Sequence, residues 1–148
     1  MLNILAPILL ALVPTDTTFV NVEVNNYSSI KKIGERNVIF GVKEETEELL
    51  INKGYFVTDS IGFDVQVGID SIYSPQQILN IMGIQWLRKD YIVETSICIG
   101  SKCFKGKGER RTFIFAMFLN VENGEVPLNR KAFSKALQES LKNTSKQF

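Results

Sequence analysis

The stretch FDVQVGID, residues 63–70, decides the fold. Phe63, Val65, Val67 and Ile69 fall on one side of an extended chain, and Asp64, Gln66, Gly68 and Asp70 on the other. Successive side chains of a strand point to opposite faces, so a period of two describes a strand with one dry face and one wet face. Sheets that are wet on one side are characteristically antiparallel, and antiparallel pairing is the expectation here.

Upstream, Phe19-Val20-Asn21-Val22-Glu23-Val24 shows the same alternation and ends at Asn25-Asn26. A loop holding Ser28, Ser29 and Gly34 leads to Asn37 and then to Ile39, Val42, Thr46, Leu49 and Leu50 at helical spacing. Lys43, Glu44, Glu45, Glu47 and Glu48 take the outer side, and Gly54 stands where a left-handed cap is needed. Downstream, Ser74-Pro75-Gln76-Gln77 has the cap-then-proline order of a helix start, giving one helical turn over residues 78–82 or an ordered loop before Gly83. Residues 91–99 and 112–121 are aromatic and β-branched and read as long strands. The second is apolar on both faces and so is expected at the sheet centre. Asn123-Gly124 marks a turn, and Asn129 caps a final helix over residues 130–146. Ala132, Phe133, Ala136, Leu137 and Leu141 line one face of that helix. The fold expected is α+β: an antiparallel sheet of about four strands with two helices packed on one face, in the order β-α-β-β-β-α.

The chain has 148 residues, of which 45% are hydrophobic, with 17 basic and 16 acidic side chains. That length and apolar content suit one ordinary domain, and the net charge of +1 exerts no whole-molecule pull on nucleic acid or anionic membranes. There is no histidine, which removes the commonest general base and the imidazole metal ligand. Residues 1–13, MLNILAPILLALV, carry one polar side chain, Asn3, before Pro14-Thr15-Asp16. Thirteen such residues are shorter than the roughly 17–25 of a bilayer span and suit the apolar part of an export signal. A buried first element of the mature domain is the other reading. No basic residue precedes the run, and no cysteine near it suggests a lipid anchor. The division expected is thus a signal-like or membrane-associated segment at 1–15 and a single α+β domain at 16–148, without internal repeats.

Ile97-Cys98-Ile99-Gly100-Ser101-Lys102-Cys103-Phe104 is the most informative short motif. Gly-Ser is a two-residue hairpin turn, which makes Ile99 and Lys102 the closing pair and sets Cys98 opposite Cys103. At about 4.5 Å between Cα atoms a cross-strand disulfide is feasible, and it agrees with export; a pair of reduced thiols in the cytosol fits the same spacing. Metal binding needs two more ligands that no other Cys or His supplies. Beyond the turn, Lys102, Lys105, Lys107, Arg110 and Arg111 stand against one acid, Glu109, for a net +4 over ten residues. Gly106 and Gly108 are expected to break the strand there and to bring backbone N–H groups near a bound anion. Such a segment can contact lipid head groups, nucleic-acid backbone or an acidic partner, or can simply be a solvated loop. Trp86, before Arg88 and Lys89, either closes the end of the core or marks a binding surface. Asp64, Gln66 and Asp70 fit a solvated sheet face. No nucleophile and base pair is visible, so neither catalysis, cofactor nor metal is expected.

The order of elements, with LLINKGYFV at residues 49–57, then Phe63-Asp64-Val65-Gln66-Val67, two long strands and a last helix, resembles small bacterial envelope proteins of the YajG and LptE kind. It is also similar to the periplasmic domain of the curli secretion channel. The resemblance spans residues 19–146 and implies a non-enzymatic accessory or assembly role at the envelope, in the periplasm, with a protein or envelope component as partner. The basic segment adds anionic lipid as a further contact, and the near-zero net charge disfavours nucleic acid. The rival class is a virion or appendage subunit that keeps its apolar start and oligomerises through it.

Overall fold

The computed structural model describes residues 18–33, 36–59, 62–115 and 128–148. The apolar residues 1–13, the Asn123-Gly124 turn and the expected strand beyond Phe115 lie outside these. In chain order the elements are β1 (Phe19–Asn26), the two-residue strands β2 (Lys32–Ile33) and β3 (Arg36–Asn37), α1 (Val38–Asn52), β4 (Phe56–Val57), β5 (Phe63–Tyr73), β6 (Gln76–Ile81), β7 (Ile84–Ile99), β8 (Lys102–Phe115) and α2 (Arg130–Ser145).

The result is an α+β layer with two helices over a mixed sheet, and the mixing corrects the antiparallel expectation. β1 runs parallel to β5, in register from Val20↔Phe63 to Asn26↔Ile69. It is also parallel to β4, where Phe56 N–H donates to Thr18 O at 3.0 Å. The reason is α1: a helix between two neighbouring strands returns the chain to the end it left, which is how parallel strands are joined. The alternation in β1 and β5 reports which face is dry and says nothing about direction. Six strands share this sheet, against about four expected.

From β5 onward the sheet is antiparallel, and β7 is its spine. Along one edge of β7 lie β5 and β6 end to end, with Tyr73 opposite Ile92 and Gln76 opposite Lys89. The register slips at Asp70, between Ile69 and Ser71. Along the other edge β8 pairs without interruption from Ile99↔Lys102 to Trp86↔Phe115. Ser74-Pro75 is therefore the joint between two strands rather than the start of a helical turn. Proline has no N–H to give a ladder, which suits a strand margin, while its carbonyl accepts from Asp90 N–H at 3.0 Å. Met82 and Gly83, at φ of 53° and 79°, make the two-residue turn with positive φ at both centres that joins β6 to β7.

Two further expectations change. Residues 112–115 close β8, which among the described strands pairs with β7 alone, so they lie at a margin of the sheet and not at its centre. Gly106 and Gly108 sit inside an unbroken β8, on the face toward α2. A Cβ on Gly108 would land on the Ala136 carbonyl, and one on Gly106 would meet Thr144 and the Ser140 carbonyl. Their role is close approach of helix and strand.

Both helices cover the same face, as expected, and share one core. Val20, Val22, Val65, Val67, Ile69, Tyr91, Val93 and Ile97 rise from the sheet to meet Val42 and Leu50 of α1 and Phe133, Ala136 and Leu141 of α2. Asn37 and Asn129 cap the two helices, their side chains accepting from Ile39 N–H and Ala132 N–H at 3.1 Å each. Under α2 runs a buried hydroxyl seam. Thr95 Oγ1 lies 2.8 Å from Ser140 Oγ and 3.1 Å from Thr144 Oγ1, and Ser140 Oγ donates to Gly106 O at 3.0 Å. Buried hydroxyls are costly unless bonded, and these satisfy one another at the point where the glycines let the helix settle.

Two glycine substitutions should therefore move stability in opposite directions. Gly108→Ala is expected to cost at least about 1–3 kcal/mol, because its methyl collides with α2 backbone. Gly41→Ala, on an exposed helical site with nothing within 4 Å of the new methyl, should stabilise by about 1 kcal/mol. Urea unfolding monitored by circular dichroism measures both.

Candidate functional site

The β7–β8 hairpin carries the two sites read from the sequence. Gly100 takes a φ of 59° at the turn, Ile99 pairs with Lys102, and Cys98 lies directly opposite Cys103. The two cysteines form a disulfide, with Cα atoms 4.0 Å apart. Strand pairing alone brings the sulfurs together, so the bridge asks nothing of the loop.

The five cations expected to act together are divided by the strand period. Residues opposite one another across β7 and β8 share a face. Lys105, Lys107 and Arg111 thus stand on the outer face with Ser96, Glu94 and Asp90, while Lys102 and Arg110 point to the helix side. Arg110 pairs with Glu139 of α2 at 3.3 Å, and Arg111 bonds to Asp90 at 3.0 Å and approaches Glu109 at 3.6 Å. With Gly106 and Gly108 turned under α2, no glycine cradle faces these lysines.

Asp90 organises the middle of the outer face. The Arg88 guanidinium donates to both its oxygens, at 3.0 and 2.6 Å, and holds its carboxyl below the ordinary carboxylate value, with Arg111 adding to the effect against a smaller opposing contribution from burial than that of Arg88. Because the folded value lies below the unfolded one, this stabilisation is complete above the unfolded value and is lost as pH falls through the folded one.

Past this ionic rung no helix among the described residues lies over the sheet, although Leu87 and Lys89 on its helix side are buried. Asn129 N–H donates to the Tyr91 hydroxyl at 2.8 Å and so places the start of α2 above Tyr91. Residues 84–90 of β7, 111–115 of β8 and all of β6 extend beyond that point as a three-stranded arm, roughly 20 Å long at 3.4 Å per residue. Its end is apolar. Met82 at the turn is 99% exposed, Ile78 is 71% and Phe113 is 53% exposed, and Ile81 and Ile84 close the hairpin. Trp86 stacks obliquely on Phe115 with ring centres 5.3 Å apart, half-buried against it and paired with Leu79. Trp86 therefore lies well outside the core that the helices cover.

The arm was the surface least visible in the sequence. What betrays it is Met82-Gly83 between apolar runs on both sides, and a stretch from Ser71 to Lys89 without a single acid. Elsewhere, a surface groove of about 590 Å³ between the helices is lined by Gly41, Glu44, Glu48, Ile51, Ser134 and Leu137. Among the described residues no group of three or more His, Cys, Asp or Glu is placed to hold a metal, and no helix is long and apolar enough to cross a membrane.

No family profile matches the chain, and no curated protein matches it in sequence. Solved structures do. The chain is similar to a minor lipoprotein from Acinetobacter baumannii at 9% identity and a TM-score of 0.43, over 90% of this chain and 89% of that one. It is similar also to a hypothetical protein from Chlamydia trachomatis at 8% identity and a TM-score of 0.41, over 88% and 92% respectively. At that identity and overlap, no residue role or partner passes from either protein to this chain.

Intact mass before and after reduction, with alkylation, should find no free thiol in natively produced protein. Replacing both cysteines by serine should cost roughly 2 kcal/mol, the loop-closure value for so short a loop. In acid titration of stability, Asp90→Asn should lose less than the parent as the pH falls below about 4, because it no longer has a depressed carboxylate to protonate.

Proposed function

We propose that the protein is a non-enzymatic accessory or assembly protein of the cell envelope, exported and acting by contact. The observation that carries the reading is the Cys98–Cys103 bridge, since intramolecular disulfides persist in oxidising compartments and are rare in the cytosol. The apolar residues 1–13 support the same destination, being the length of an export signal's core. So does the pattern resemblance to envelope accessory proteins carried by residues 49–57 and 63–67. A contact role is supported by a chain without histidine and by an arm whose exposed apolar end exceeds what a solvated surface needs.

The expected result is a mature chain shorter by about fifteen residues when its intact mass is measured from the producing cell, given how signal segments are processed. A full-length mature chain recovered from the cytosol with two free thiols would sink the proposal. Light scattering after size exclusion separates the rival class: a monomer is expected, and a closed ring or filament would make the chain a structural subunit instead.

A further inference from the structure

We infer that the groove between α1 and α2 receives a basic amphipathic helix of a partner protein. The inference rests on the reading of this protein as one that acts by contact, and it is independent of export and of the arm. Its first support is the outward face of α1. Phe40, Glu44, Glu48 and Ile51 recur at i, i+4, i+8 and i+11 and so share one stripe. Phe40 is 66% and Ile51 57% exposed, about 16 Å apart along the helix axis at 1.5 Å per residue. One exposed apolar side chain is ordinary. Here a pair of them brackets two exposed carboxylates, beside the groove of about 590 Å³ that Gly41, Ile51 and Leu137 help to line. Apolar anchors spaced along one face of a helix are how such a groove is filled.

The second support is Gly41. It is exposed near the start of α1, and a Cβ built on it meets nothing within 4 Å. Glycine weakens a helix, and no described residue needs it there. Gly106 and Gly108 demonstrate the use of a missing side chain in this fold, since each admits the backbone of α2. Gly41 offers the same close approach on the outside. Charge then names the occupant. Four carboxylates, Glu44, Glu45, Glu47 and Glu48, line the groove and no cation does. Glu47 is held by Lys43 at 3.6 Å, and Glu45 accepts from Gln138 at 3.2 Å. Glu44 and Glu48 form no ion pair among the described residues and repel one another across a helical turn. Cations one turn apart on a partner helix relieve that repulsion and supply the complementary charge. An anionic surface is repelled here, and a small cation leaves Phe40 and Ile51 uncovered.

The probe is a fluorescein-labelled, alanine-based helical peptide with leucine at i, i+4, i+7 and i+11 and arginines flanking that stripe on both sides. Fluorescence anisotropy with the full chain should show saturable binding. The same peptide with glutamate for arginine, or with alanine for leucine, should bind at least about tenfold more weakly. Glu44→Gln with Glu48→Gln, and separately Gly41→Leu, should each weaken binding of the arginine peptide by about tenfold or more. The first change removes a like-charge pair and the second adds a side chain where a Cβ meets nothing. Both variants should therefore unfold in urea no earlier than the parent, which keeps lost binding separate from lost fold. Lys135→Ser with Lys142→Ser, lining a neighbouring groove of α2, should change binding less than twofold. The assignment is overturned if the arginine peptide does not bind, if the glutamine pair or Gly41→Leu leaves its affinity unchanged, or if the peptide without leucine binds as tightly. It is equally overturned if the parent self-associates in sedimentation and the glutamine pair disperses it, which would make a second copy the occupant. Export is read from the mature mass and groove binding from anisotropy, so either can fail without the other.

Discussion

The approach of α2 to β8 is the contact on which the rest of the structure depends. Gly106 and Gly108 remove the side chains that would hold the helix off, and the Ala136 and Ser140 backbone occupies their place. Thr95, Ser140 and Thr144 then bond to one another in a space that no longer admits larger groups. Only with the helix this low do Phe133 and Leu141 reach Val93 and Ile97, and only then does the core include both helices. A buried polar seam that is fully satisfied also selects a single position of the helix along the strand, since a slide in either direction leaves hydroxyls unpaired.

Much of this was legible and some was not, for definable reasons. Local signals read well. Asn37 and Asn129 cap their helices, all five apolar residues chosen for α2 are buried, and the Gly100-Ser101 turn puts Cys98 opposite Cys103 as counted. Signals whose meaning depends on distant neighbours read badly. Glycine in a strand marks either a break or a close approach, and only Ala136 and Ser140, about thirty residues away, decide between them. Ser74-Pro75 is as good at a strand joint as at a helix start, and the long partner β7 makes it the former. Strand direction left no local trace at all, because facing and direction are independent properties of an alternating segment.

The same strand period explains why charge density in sequence is a poor guide to charge density on a surface. Five cations within ten residues look like a cluster, yet in an extended chain they are dealt to opposite faces, and the two arginines among them meet Asp90, Glu109 and Glu139. The apolar arm is the converse case. Ile78 on the helix side, Ile81, Ile84 and Phe113 on the outer face and Met82 in the turn gather at one end of the sheet only after the β6–β7 turn and the β8 register bring them together.

The length of β7 has a kinetic side. Its pairings with β6 and β8 close tight turns at Met82-Gly83 and Gly100-Ser101, so they cost little chain entropy and can zip in microseconds, whereas docking α2 on Gly106 and Gly108 closes a far longer loop. During that interval the meander exists with its glycine strip bare, and the inner hydroxyl of Thr95 still faces water. The oxidising step that joins Cys98 to Cys103 needs nothing beyond the hairpin itself, so the covalent link can be in place before the core is. The order of assembly then runs from the two turns at the ends of β7, and the helix arrives on a sheet whose registry is already locked.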